Sequence, residues 1–97
     1  MIGEAYLQQK VYSEADKFFN LAIKHESVKP RALLGQSLLA LINSQPKQAK
    51  ALVTESLSIN KGSPKAWLTQ ADVHRALGES EEVLTAYQNA IDHAHTN

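Results

Sequence analysis

The feature of this 97-residue chain that most constrains its fold is self-similarity at an offset of 34. Pro30-Arg31-Ala32-Leu33-Leu34 matches Pro64-Lys65-Ala66-Trp67-Leu68, and the register persists beyond that match. Ala15, Ala49 and Val83 align, as do Phe19, Val53 and Tyr87, then Ala22, Ser56 and Ala90, then Ile23, Leu57 and Ile91. A period of this length marks stacked supersecondary units, each too small to bury its apolar face alone. The reading is one domain over residues 1–97, with copies at about 1–29, 30–63 and 64–97.

The spacing within each copy is helical. Ala15, Phe18, Phe19, Ala22 and Ile23 sit at offsets 0, 3, 4, 7 and 8, which gathers them into one stripe on a helix. Ala49, Leu52, Val53, Ser56 and Leu57 repeat those offsets, and so do Val83, Ala86, Tyr87, Ala90 and Ile91. Small residues at offsets 0 and 7 let a neighbouring helix approach closely. Ser63 before Pro64 reads as an N-cap followed by proline at the first helical position. Gly78 reads as a left-handed stop, Pro46 as a helix opening, and Ser13 and Ser80 as further caps. Helices are therefore expected near 1–10, 13–26, 30–43, 46–60, 64–77 and 80–94. No stretch shows the sustained alternation of a half-buried strand.

Composition narrows the function classes. Ten basic and ten acidic side chains cancel, which argues against a nucleic-acid or anionic-membrane surface. The absence of cysteine removes disulfides, thiolate metal sites and cysteine nucleophiles. The longest apolar run, Leu38 to Ile42, is five residues, against the roughly 20 that span a bilayer. The first ten residues carry Glu4 and no long apolar stretch, unlike a signal peptide. The compartment, cytoplasmic or bacterial periplasmic, stays open. Charge is uneven along the chain: residues 1–29 are neutral, residues 30–63 carry net plus three, and residues 64–97 net minus three.

These residues resemble the tetratricopeptide repeat family, over about two and a half to three repeats. Trp67, Gly78, Tyr87 and Ala90 stand at that family's aromatic, turn-glycine, aromatic and alanine positions. Ile2-Gly3, Tyr6, Ala15, Phe19 and Ala22 stand at the corresponding places of the first copy. The middle copy departs, with Leu33 for the tryptophan and Ser37 for the small residue, and Ser27, Lys61 and His95 replace the usual proline. The resemblance implies an all-α, right-handed superhelical solenoid of antiparallel A and B helices. On its register the first copy lacks about five residues, so the chain is expected to be a piece of a longer repeat protein.

The residues offer little chemistry. His93 and His95 are two apart, about 200° around a helix, and cannot ligate together. His25 and His93 are expected near helix C-termini, and His74 as a part-buried packing residue. No histidine or carboxylate stands at the i+4 spacing that would complete a metal site. No serine has a Gly-x-Ser-x-Gly context, and no glycine-rich phosphate loop occurs. Glu79, Glu81 and Glu82 suit a helix dipole better than acid–base work. The expectation is a non-enzyme with no cofactor, no metal, no nucleic acid and no inserted membrane segment.

What remains is a surface for a protein or peptide. By the resemblance, A helices line a concave groove, here Arg31, Leu34, Leu38, Leu41 and Ile42, then Lys65, Leu68, Asp72, Arg75 and Ala76, with Glu4, Leu7 and Gln8 in the first copy. The leucines either pack against neighbouring superhelical turns or a cap that this chain lacks, or bind the apolar side chains of a peptide or amphipathic helix; three of them would offer about 5–8 kcal/mol gross. The carboxylate clamp of chaperone-binding members is missing, because Gly35, Thr69 and Glu4 replace its asparagines and arginine while Lys65 alone matches. Three competing readings remain. One is self-association through exposed repeat ends. Another is RNA reading by a pentatricopeptide-like array, which the period of 34 and neutral charge disfavour. The third is a weaker likeness of "GSPKAW" and "AYQNAI" to bacterial arrays tied to the cell envelope or exopolysaccharide export.

Overall fold

Prolines at helix starts and three left-handed turns cut the chain into six helices. In the computed structural model, which describes residues 1–96, these are α1 (Ile2–Gln8), α2 (Tyr12–Ala22), α3 (Lys29–Ile42), α4 (Pro46–Ile59), α5 (Pro64–Ala76) and α6 (Ser80–Thr96). Among the described residues there is no strand. The fold is all-α, with a radius of gyration of 12.8 Å, close to the ~13 Å of a compact chain of about 100 residues.

Every expected helix is present, but some ends differ. The second stops at Ala22 rather than near residue 26, because the next amides bond back three residues, Lys24 N to Leu21 O and His25 N to Ala22 O. His25 therefore lies in a turn. Ser63 caps α5 as expected, its Oγ accepting from Ala66 N at 3.2 Å. Ser13 does not cap, since it lies inside α2, whose N-cap is Val11, and Ser80 is the first residue of α6.

The turn between the helices of each copy is the same object three times. Lys10 (φ 63°), Ser44 (φ 58°) and Gly78 (φ 76°) are left-handed and stand 34 residues apart. Around each, two backbone bonds close the preceding helix: Val11 N to Tyr6 O and Lys10 N to Leu7 O, then Gln45 N to Ala40 O and Ser44 N to Leu41 O, then Glu79 N to His74 O and Gly78 N to Arg75 O. These are the two bonds of a Schellman motif, and they satisfy carbonyls the helix end would otherwise leave open. Only one of the three turns uses glycine.

Each helix packs against the next in sequence, α3 also touches α1 and α5, and among the described residues α2, α4 and α6 make no backbone approach to one another. The odd-numbered helices thus form one row and the even-numbered helices lie behind it. Two apolar clusters hold the stack. One joins Ala15 and Phe19 to Ala32 and Leu39; the other joins Leu34, Val53 and Leu57 to Ala66 and Val73. Serines bind the middle pair, with Ser37 Oγ donating to Ala49 O at 2.8 Å and Ser56 Oγ to Pro30 O at 2.7 Å.

Phe19 decides how closely the first two copies approach. A Cβ on Gly3 would lie 2.8 Å from its ring, and one on Gly35 2.2 Å from its ring tip. The fully buried ring is therefore held between two glycines, one from each copy. At the equivalent places the middle copy has the smaller Val53, with Ser37 and Thr69 for the glycines. Space lost on the B helix is made up on the flanking A helices, so the packing density of an interior is kept.

Gly35→Ala is expected to destabilise the protein by about 1–2 kcal/mol, as overpacking of about 1–3 kcal/mol exceeds the ~1 kcal/mol of helix propensity gained. In a Phe19→Val background the same change should be neutral or stabilising, which urea midpoints in a double-mutant cycle would show. Ser44→Gly, which relieves a left-handed non-glycine residue, should raise stability by about 0.5–1 kcal/mol in the same assay.

Candidate functional site

Helix α3 sits at the centre of the row, and this settles the fate of its leucines. Leu33, Leu34 and Leu39 are buried, while Leu38 and Leu41 are half-buried. An apolar helix surrounded by α1, α2, α4 and α5 is core first, as all-round hydrophobicity implies. Leu41 packs against the cluster of Leu34, Val53 and Val73. Ile42 is exposed at the end of α3.

A crease runs along the row where α1, α3 and α5 meet. Glu4, Leu7, Gln8, Arg31, Leu34, Gly35, Leu38 and Lys65 line it. Of the residues expected to share a groove, Arg31, Leu34, Leu38 and Lys65 come together there with Glu4, Leu7 and Gln8. Leu34 forms its floor while itself buried. Leu41, Ile42, Leu68, Asp72 and Arg75 do not line it. Its free space is about 30 Å³, the share of roughly one water molecule in the liquid. It admits the tip of a side chain and not a whole helix.

Most of the charges expected to orient a ligand already have partners within the chain. Arg31 forms a two-bond pair with Glu4, one of them Nε to Oε2 at 3.3 Å, which ties α3 to α1. Arg75 donates to Asp72 at 3.2 Å and also to the hydroxyl of Tyr87, with its guanidinium 5.8 Å from that ring's centre. Lys65 has no ion pair among the described residues and is the cation the crease can offer. Sequence reasoning could not see Tyr87 as the partner of Arg75, since the two lie 12 residues apart on different helices.

Burial works to raise the pKa of Glu4, but the hydrogen bonds and charges of Arg31 and the N-terminal ammonium outweigh it and hold the carboxyl below 4.5. Glu79 is also lowered, first by its hydrogen bond with His74, whose Nδ1 lies 2.9 Å away, against some desolvation and with help from the Lys50 ammonium at 3.6 Å. His74 is buried and spends its ring nitrogen on this contact, a packing role as expected. His93 stacks on Trp67 with ring centroids 5.7 Å apart.

A larger cleft, about 250 Å³, lies on the opposite side, between α2 and α4 over α3. Asp16, Asn20, Gln36, Asn43, Gln45 and Gln48 give it a polar lining. Several of these groups satisfy one another, with Gln36 Nε2 donating to Asn20 Oδ1 at 2.8 Å and Asn20 Nδ2 to Asp16 Oδ2 at 3.4 Å. Scattered amides gave no sequence signal for this cleft. Among the described residues no three acidic or histidine side chains are placed to hold a metal ion, and no helix is long and apolar enough to cross a membrane. Compared with known families and curated proteins, the chain matches no family model and no curated protein.

The lowered carboxyls fix a pH dependence. A depressed folded pKa contributes stability that is complete above the ordinary value of 4.5 and is lost as pH falls through the folded one. The double variant Glu4→Gln, Glu79→Gln should therefore lose stability less steeply than the parent as pH falls below 4.5, read as urea midpoints against pH.

Proposed function

We propose that this chain is a non-catalytic scaffold of the tetratricopeptide type, a right-handed superhelical stack whose row of A helices, α1, α3 and α5, receives an extended peptide segment of a partner protein. The observation that carries the reading is the crease where those three helices meet, with an apolar floor of Leu34 and Leu38 and an unpaired ammonium at Lys65 beside it. The row itself, with the even-numbered helices behind it, supports the same reading.

The dimensions set the ligand class. A crease of this width takes the end of one small apolar side chain, and Lys65 favours an acidic group one or two residues along the ligand. Arg31, already paired with Glu4, shapes one wall and ties α3 to α1. An enzyme has no support in the side chains. Ser37, Ser56, Ser58 and Ser63 commit their hydroxyls to backbone groups, and a nucleophile needs a base and an orienting partner within hydrogen-bond reach.

Peptides selected from a random display library on the wild-type protein should be enriched in acidic residues next to Val, Leu or Ile. Leu38→Asp should weaken the selected peptides tenfold or more and Lys65→Glu severalfold, with unchanged helical circular dichroism. Peptides that bind Leu38→Asp as tightly as the parent would overturn the reading.

A further inference from the structure

The two junctions of the stack are closed differently on the side of the even-numbered helices. At the second, Lys50 of α4, His74 of α5 and Glu79 of the following turn form one network. The Glu79 carboxylate lies 2.9 Å from the His74 ring and 3.6 Å from the Lys50 ammonium. A buried ring and an ion pair thereby bridge α4 to the start of α6. Thirty-four residues earlier the same three positions hold Asp16, Ala40 and Gln45. All three line the polar cleft of about 250 Å³ between α2 and α4. The cleft stands where the other junction has an imidazole and a paired charge.

The exchange also leaves acceptors in the cleft without donors. Asp16 is the charged residue of its lining and has no ion pair; its carboxylate accepts only from Asn20 Nδ2, at 3.4 Å. Among the described residues, the side chains of Asn43, Gln45 and Gln48 make no hydrogen bond. Gln36 spends an N–H on Asn20 and keeps its carbonyl oxygen. A second hollow of about 280 Å³ adjoins the first, shares Asp16, Leu39 and Asn43 with it, and has Tyr12 in its wall. One carboxylate is thus set among amide oxygens, an apolar floor of Leu39 and Ala40, and an aromatic ring.

That set suits a planar cation with several N–H donors. A guanidinium offers a rigid fork to a carboxylate, further donors to amide oxygens, and weakly hydrated faces that lie on apolar and aromatic surface. An ammonium is compact and strongly hydrated, and brings no plane to the place of the imidazole. We propose that the cleft between α2 and α4 binds a guanidinium group, its N–H fork on the Asp16 carboxylate and its plane over Ala40, where the other junction holds the His74 ring. The site is separate from the crease: Leu38 and Lys65 do not line it, so the two ideas fail independently.

The probes are acetyl-arginine amide and free arginine, titrated into the isotope-labelled whole chain and followed by proton–nitrogen NMR. Saturable shifts of the Gln36, Gln45 and Gln48 side-chain amides are expected, weakened tenfold or more by Asp16→Asn and unaffected by Leu38→Asp. Acetyl-citrulline amide, which keeps the plane and loses the charge, should bind tenfold or more weaker, and acetyl-lysine amide severalfold weaker. Tighter binding of acetyl-arginine amide than of arginine would make the occupant a residue of a polypeptide, and the reverse a free small molecule; either supports the site. Because Asp16 is exposed, circular dichroism of Asp16→Asn should match the parent. Shifts that fail to saturate at tens of millimolar, equal binding to Asp16→Asn, or equal binding of acetyl-citrulline amide would overturn the proposal.

Discussion

The three left-handed residues at Lys10, Ser44 and Gly78 are the constraint from which the rest follows. Each lets two backbone amides reach back into the helix just ended, so the chain reverses within a few residues. With the same closing bonds at each reversal, each helix packs against the next in sequence. The odd-numbered helices come to stand side by side and the even-numbered ones behind them. Side chains then decide only how close the neighbours come. A left-handed lysine and serine cost more than glycine would there, and the cost is tolerated because two hydrogen bonds and the docking of a whole helix depend on that conformation.

Apolar contact supplies the cohesion between copies and charge supplies the alignment. Exposed ion pairs are generally worth under about 1 kcal/mol, so Arg31 with Glu4 and Lys29 with Glu55 do little to hold the stack. They do favour one sliding position of α3 on α1 and of α4 on the start of α3. Burial also changes along the chain. Ala15 and Phe19 are wholly enclosed, whereas Val83 and Tyr87 are partly open. The least enclosed copy carries the most acidic residues, which keeps its face wetted while it is uncovered.

Much of the fold was legible because helical spacing and proline placement are local signals. Six helices, the cap at Ser63 and the turn at Gly78 all follow from residues within a few positions of one another. Lys10 and Ser44 gave no sign of their backbone conformation, since nothing in a lysine or serine announces a positive φ. The end of α2 was missed because no glycine or proline interrupts residues 23–28; the helix stops where its amides turn back three residues instead of four. The site was less legible. Period and resemblance placed residues on the right helix but could not tell Leu34, covered by α5, from Leu68, which is 46% exposed. Nor could they show that Arg31 and Arg75 are already engaged, because Glu4 and Tyr87 lie 27 and 12 residues away.

Phe19 lies sixteen residues from each of its glycines, one in its own copy and one in the next. A duplication that lengthened the chain by one 34-residue unit would carry the aromatic together with one glycine and take the other flank from whichever unit came to follow. The unit of inheritance and the unit of packing are out of phase. A fully enclosed ring at this site needs a threesome that straddles a boundary, whereas Tyr87 at the same position, with Ala71 in place of the first glycine, is only half-buried. Newly copied units of such a chain would therefore first be viable without an enclosed ring, and acquire one only after both flanks had already lost their side chains.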